Sequence, residues 1–277
     1  MYFRLFLVAF ASFGLVSCGG IWGIEGDLFE KTNKVGVILA QTDKSVNNFD
    51  GESLLSAAAG LASQATAEKD SSSTVNEVNY TQLMETTVST LESEFGGLGK
   101  FTFTPANNLM NTSDYKAYIT TLDAANKEIG SDGVDSFSGL YYKNSKPIQG
   151  AAIGPEAMIT TESADKYRAT VRAAFKKLAQ AQGLDGFVIV KVDLGYKPYT
   201  ALMGTGVAAP AANITMLFIN PDGDFAANGM FVSLEEDNTV PMAAGGVLLN
   251  KELSDGLNTA IANGVKYMAN DMKENKL

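Results

Sequence analysis

Cys18 is the only thiol in a chain of 277 residues that contains no histidine. Without imidazole there is no Ser-His-Asp or Cys-His nucleophile, no histidine general base and none of the usual zinc ligand sets. Cys18 closes the tetrad Leu15-Val16-Ser17-Cys18, after an apolar run from Leu5 to Leu15 that itself follows Arg4. A basic start, an apolar stretch well short of the roughly 20 residues needed to cross a bilayer, and small residues at its end compose an export signal, read as residues 1–17. An exported protein has little use for a free thiol, which would be open to oxidation or mixed pairing, so Cys18 is expected to be modified.

The remaining candidates are weaker. Gly204-Thr205-Gly206-Val207-Ala208-Ala209 mimics a dinucleotide-binding loop, but Pro210 follows at once and leaves no helix start for a pyrophosphate. Asp222, Asp224 and Asn228 suggest calcium, yet the twelve-residue ligand pattern with its closing Glu is missing. Ser163-Ala164-Asp165-Lys166 matches S-x-x-K without its companion motifs, and Ser163 reads instead as a helix cap. No metal, no cofactor and no catalytic residue is assigned. A carboxylate hydrolase would need two acids converging in a pocket, which spacing does not reveal.

Two features point to association instead. Arg168, Arg172 and Lys176 recur every four residues, which makes a basic stripe on one helix face, either a dock for an acidic partner or a solvated face paired with nearby acids. The stretch from Gly195 to Val207 offers Tyr196, Tyr199 and Met203, residue types favoured at binding surfaces, with too little pattern for a strand. Packing over the sheet edge is the alternative for this loop. The partner-binding residues are therefore read as Tyr196, Tyr199, Met203, Arg168 and Arg172, with Tyr196 and Tyr199 as the specific pair whose mutation removes the partner.

Formal charge falls from −10 to −11 once residues 1–17, which carry Arg4 alone, are removed. Nucleic acid and anionic head groups are thereby disfavoured as general partners. With 45% hydrophobic and 19% charged residues the chain can bury a substantial core.

The elements that must position these residues follow from periodicity. Lys34–Ala40 reads as a buried strand, Val78–Phe95 as a helix stopped by Gly96-Gly97, and Lys100–Thr104 as a strand with Phe101 and Phe103 inward. Helices are expected from Ser113 to Gly130 and from Ser163 to Gln182, then strands Phe187–Asp193, Ile214–Ile219 and Phe225–Leu234, the last two joined by a tight turn at Asn220–Asp224. A long helix closes the chain on Leu253, Leu257, Ile261, Val265, Met268 and Met272. Residues 45–77 and 131–162 lack a period and read as two irregular insertions. The fold class is α/β: a mixed sheet of about five strands packed by three to four helices, in one domain from 34 to 277. Residues 18–33 read as a tether, with Trp22 at the membrane interface.

The N-terminal segment, with its Leu-Val-Ser-Cys tetrad, closely resembles a bacterial lipoprotein signal, which implies cleavage before Cys18 and a diacylglycerol, membrane-anchored Cys18. The domain order resembles the α/β domain shared by the amino-terminal domain of the Tol-Pal translocation protein, the lipoprotein activators of penicillin-binding proteins and the curli secretion channel lipoprotein. The matching residues are Leu98-Gly99-Lys100-Phe101-Thr102-Phe103, Gly183-Leu184-Asp185-Gly186-Phe187-Val188, and Met216-Leu217-Phe218-Ile219-Asn220-Pro221-Asp222-Gly223-Asp224. Asp222-Gly223-Asp224 departs from the Thr-Gly-Glu turn usual there. The resemblance implies a non-enzymatic lipoprotein of the cell envelope that binds another envelope protein as a regulator or assembly factor. The alternative is an oligomeric secretion-channel subunit of the curli-channel type. Gly19 after Cys18, rather than Asp, implies the outer membrane, facing the periplasm.

Overall fold

A computed structural model describes residues 21–49, 78–129, 140–154, 161–202, 205–243 and 246–277. Cys18, Gly130, Met203 and Gly204 lie outside the described residues, as does most of the first insertion.

The fold starts earlier than periodicity suggested. Trp22–Ile24 forms strand β1 and Gly26–Lys31 helix α1, so this part of the segment 18–33, read as a tether, belongs to the fold. Trp22 is 1% exposed, and its Nε1 donates to the Met268 carbonyl at 2.9 Å. An indole with its one polar atom satisfied inside the core gains more from burial than from an interfacial seat, which overturns the expectation that it meets the membrane.

The remaining elements are β2 (Lys34–Asn48), α2 (Tyr80–Gly96), β3 (Thr102–Thr104), α3 (Ala106–Asn111), α4 (Ser113–Ile129) and β4 (Leu140–Tyr141), then α5 (Glu162–Gln182), β5 (Gly186–Leu202), β6 (Thr205–Ile219), β7 (Phe225–Leu234), β8 (Val240–Ala243), β9 (Gly246–Val247) and α6 (Lys251–Lys276). The strands make one mixed sheet in the order β1-β7-β6-β5-β2-β3, with β4 on β2 and β8 on β6 and β9. β2 runs parallel to β3 and β5, whereas β5, β6, β7 and β1 pair antiparallel in turn. Nine described strands replace the expected five or so. The additions are short edge strands and hairpins whose two to four residues are too few to show a period.

Helices cover both faces. On one side α6 packs on β6 and β7 and α2 on α6 and β2, around Trp22, Phe95 and Phe218, whose rings stand 5.6 to 6.0 Å apart. On the other, Phe175 of α5 meets Phe187 of β5 and Tyr118 of α4 at 5.6 and 5.9 Å. All six apolar residues expected along α6 are buried. Burying a side chain of this size is worth about 1.5–3 kcal/mol, so the stripe fixes α6 to the sheet.

The caps shift by one or two residues. Thr161, not Ser163, caps α5 by accepting from Ala164 N, and Thr112, not Ser113, accepts from Tyr115 N at the start of α4. Each threonine is extended or just outside the helix, where its hydroxyl reaches the free amides of the first turn. Gly183 ends α5 at φ 62°, the left-handed stop its position suggested.

Candidate functional site

The residues expected to bind a partner separate into two places. Arg168 and Arg172 lie on α5 and point inward to the chain's own backbone. Arg168 is 5% exposed, and its Nε donates to the Ala151 carbonyl at 2.8 Å. Arg172 donates to the carbonyls of Ala152 and Gly154, and to Asp224 at 3.1 Å. Lys176 pairs with Asp222 at 2.5 Å. The basic stripe thus staples the segment before α5 and the β6–β7 turn to the helix. Asp222 and Asp224 serve as its counter-charges, and no group of three or more metal-binding side chains occurs among the described residues.

Tyr196 and Tyr199 lie in the segment read as a loop, which is strand. β5 and β6 stay paired from Phe187↔Ile219 to Leu202↔Thr205, and β8 adds to β6 at Gly206–Ala208. Sequence periodicity missed this ribbon because Gly195, Pro198, Gly206, Ala208, Ala209 and Pro210 supply no apolar alternation. Pro198 sits at a register shift, where a missing N–H is tolerated. Pro210 packs against Gly256 of α6, where a Cβ would stand 2.4 Å from its ring.

Tyr196 is 7% exposed, in a small cluster with Ala208 and Met242. Tyr199 is exposed, and Glu236 beside its phenol, with Asp237 nearby, pushes it up to about 12. Of the pair, only Tyr199 is exposed.

A groove missed by sequence reading lies beside this ribbon. β1 covers the outer edge of β7 only at Ala227–Gly229, so no described strand pairs that edge from Met230 to Leu234. Between this edge and α6 opens a space of about 490 Å³ lined by Phe231–Asp237, Asn263 and Tyr267. Tyr267 is 51% exposed and stacks on Phe231 at 4.3 Å. Glu235 is held in place by Asn238 and Asn263, which donate to its two oxygens. The groove therefore combines a strand edge that no described strand pairs, an aromatic wall and an acidic rim formed by Glu236 and Asp237, with Glu235 buried behind it. Its one sequence signal was the Glu235-Glu236-Asp237 run directly after a strand.

Two acid groupings elsewhere have structural explanations. Glu85 and Glu92 line a cleft of about 190 Å³ with Val88, Ser89 and Tyr142. Glu92 is spoken for, since its Oε1 accepts from Ala106 N at 2.6 Å at the start of α3, and burial holds its carboxyl above the usual range. On the sheet, Lys191 lies 2.7 Å from Asp193 and 3.9 Å from Asp43, and Asn213 donates to Asp193 at 3.3 Å. Burial raises the Asp43 carboxyl, the Lys191 ammonium opposes the rise, and Asp193 adds to it. One lysine shared by two acids in a half-buried position is a packed charge group, and neither cleft described above opens onto it.

No helix among the described residues is long and apolar enough to cross a membrane. Neither protein-family models nor curated proteins give a match to this chain.

Proposed function

We propose that the chain is a lipid-anchored, non-enzymatic protein of the bacterial cell envelope, held by Cys18, whose α/β domain binds another envelope protein as a regulator or assembly factor. The observation that carries this reading is the groove at the open edge of β7. An edge that no described strand pairs offers main-chain hydrogen bonds to an added strand, while the Phe231–Tyr267 wall and the acidic rim supply selectivity. A partner segment that is extended and basic fits both features. The outer membrane, facing the periplasm, is the location this reading carries.

The test is capture from detergent-extracted envelope with the acylated chain, followed by crosslinking. Tyr267→Ala and Glu236→Lys should each weaken recovery of one defined protein at least tenfold while leaving the circular dichroism spectrum unchanged. Equal recovery by both variants, or no specific protein recovered, rejects the groove as the site.

A second reading, an oligomeric secretion-channel subunit, is favoured by one observation. β5 and β6 run 17 and 15 residues, and from Gly195 to Asn220 the only charged residue is Lys197. A long hairpin whose part from Gly195 onward carries one charge suits a membrane setting better than water. A single copy in detergent by light scattering would sink this reading.

A further inference from the structure

The direction of β1 has a consequence for where a membrane lies. β1 is antiparallel to β7 and β7 to β6, so β1 runs the same way as β6. The N-terminal end of β1, at Trp22, therefore points toward the end of the sheet where β6 begins, at Thr205. Only three residues separate Cys18 from Trp22, so at about 3.3 Å per residue the acylated cysteine reaches no more than ~13 Å from β1. Trp22 stands opposite Gly229, which stands opposite Met216, and β6 starts eleven residues before Met216. The same rise puts the start of β6 ~36 Å beyond the level of Trp22. The β5–β6 ribbon thus overshoots, by roughly 20 Å, the farthest point along the sheet that the anchor attains.

A second, independent observation concerns what that end of the sheet displays. Tyr199, Val207, Leu248 and Leu249, exposed by 42, 37, 50 and 38%, are four of the six large hydrophobic side chains exposed among the described residues. All four belong to the β5–β6 and β8–β9 hairpins or to the residues that leave them. From Val240 to Asn250 there is no charged residue. Apolar side chains gathered at one end with a tyrosine among them, beside which Lys197, Glu236 and Asp237 are the nearby charges, are suited to the boundary between head groups and acyl chains.

We infer that the ends of the β5–β6 and β8–β9 hairpins, through Tyr199, Val207, Leu248 and Leu249, contact the lipid bilayer that holds the Cys18 anchor. This inference rests on the lipid-anchored reading and adds to it a second point of attachment and an orientation. Because the anchor falls short of the hairpin end, the sheet leans over the bilayer, with its hairpin end toward the membrane and its β6–β7 turn, at Asp222, away from it. The partner groove at β7 lies between the two ends, beside the bilayer.

The experiment uses the acylated full chain in vesicles of phosphatidylethanolamine and phosphatidylglycerol. An acylated Cys18 carries no free thiol, so Leu248→Cys, Val207→Cys and Asp222→Cys can each be labelled with an environment-sensitive fluorophore. Labels at 248 and 207 should shift to the blue and be quenched by nitroxide-bearing lipid, while the label at 222 stays in water and unquenched. Water-exposed, unquenched labels at 248 and 207 on vesicle-bound protein overturn the inference. So does a blue shift that lipid quenchers leave intact, which would reveal a second copy or another protein over the hairpins. The mass of the Cys18 peptide reads anchoring separately. If it shows no lipid, the anchored reading fails, and the chain carrying Cys18→Ser decides the surface on its own: quenching at 248 on added vesicles keeps the contact, and its absence removes it.

Discussion

The indole of Trp22 lies on Gly229, so close that a Cβ at residue 229 would stand 2.5 Å from the Trp22 ring. The two residues are paired in register on the edge strand β1 and its neighbour β7. The contact closes the core at the edge of the sheet and fixes the point from which the N-terminal chain departs.

Gly229→Ala should destabilise the domain by about 1–3 kcal/mol, because the added methyl has to displace a ring locked by its bond to Met268. Urea unfolding of the soluble Cys18→Ser chain reads this directly. A loss below a few tenths of a kcal/mol would show that the edge yields.

Trp22 fluorescence offers a second check. The ring is 1% exposed and the only indole in the chain, so emission should be blue-shifted and insensitive to iodide whether or not vesicles are present. An emission change on adding vesicles would return Trp22 to the membrane interface.

Arg172→Ala should cost about 2–3 kcal/mol, since it leaves the Ala152 and Gly154 carbonyls without their charged donor. Arg172→Lys should recover only part of this, because an ammonium lacks the planar fork that serves three acceptors. Limited proteolysis should then cut the segment 140–154 faster in the Ala variant than in the wild type. Equal rates would mean that the segment is held by other contacts.

Glu92 sets a pH dependence. Burial raises its carboxyl in the folded state, so the folded chain binds the proton more tightly than the unfolded chain. Stability is then favoured below the ordinary glutamate range and falls as pH rises through the raised folded value. Glu92→Gln keeps an oxygen for Ala106 N and removes the charge. The variant should gain on the wild type as pH rises from 4 to 8, and the gain should vanish at acidic pH. A constant difference across that range would show that burial is not the cause.

Sequence reading went furthest where a period was sustained. The stripe of α6, the core-facing side of α2 and the turn joining β6 to β7 were all legible, because burial along one face imposes a helix period and the turn demands Pro and Gly at set places. It failed where the apolar pattern is absent for a physical reason. The β5–β6 ribbon is built of Gly, Pro and Ala and is paired along its whole length, so backbone ladders hold it without alternating side chains. The arginines of α5 were visible as a stripe, but their acceptors are carbonyls of residues 151, 152 and 154, which carry no sequence signal. The groove joins β7 to α6 from positions more than 25 residues apart, and no local pattern announces such a meeting.

The mass of the native assembly, extracted in mild detergent from cells making the wild type or Cys18→Ala, tests the central claim most directly. The proposed function predicts one copy of the acylated chain with a different envelope protein in the membrane fraction, and release of the chain from that fraction in the mutant. A ring built from this chain alone, or a mutant that stays in the membrane as the wild type does, would contradict it.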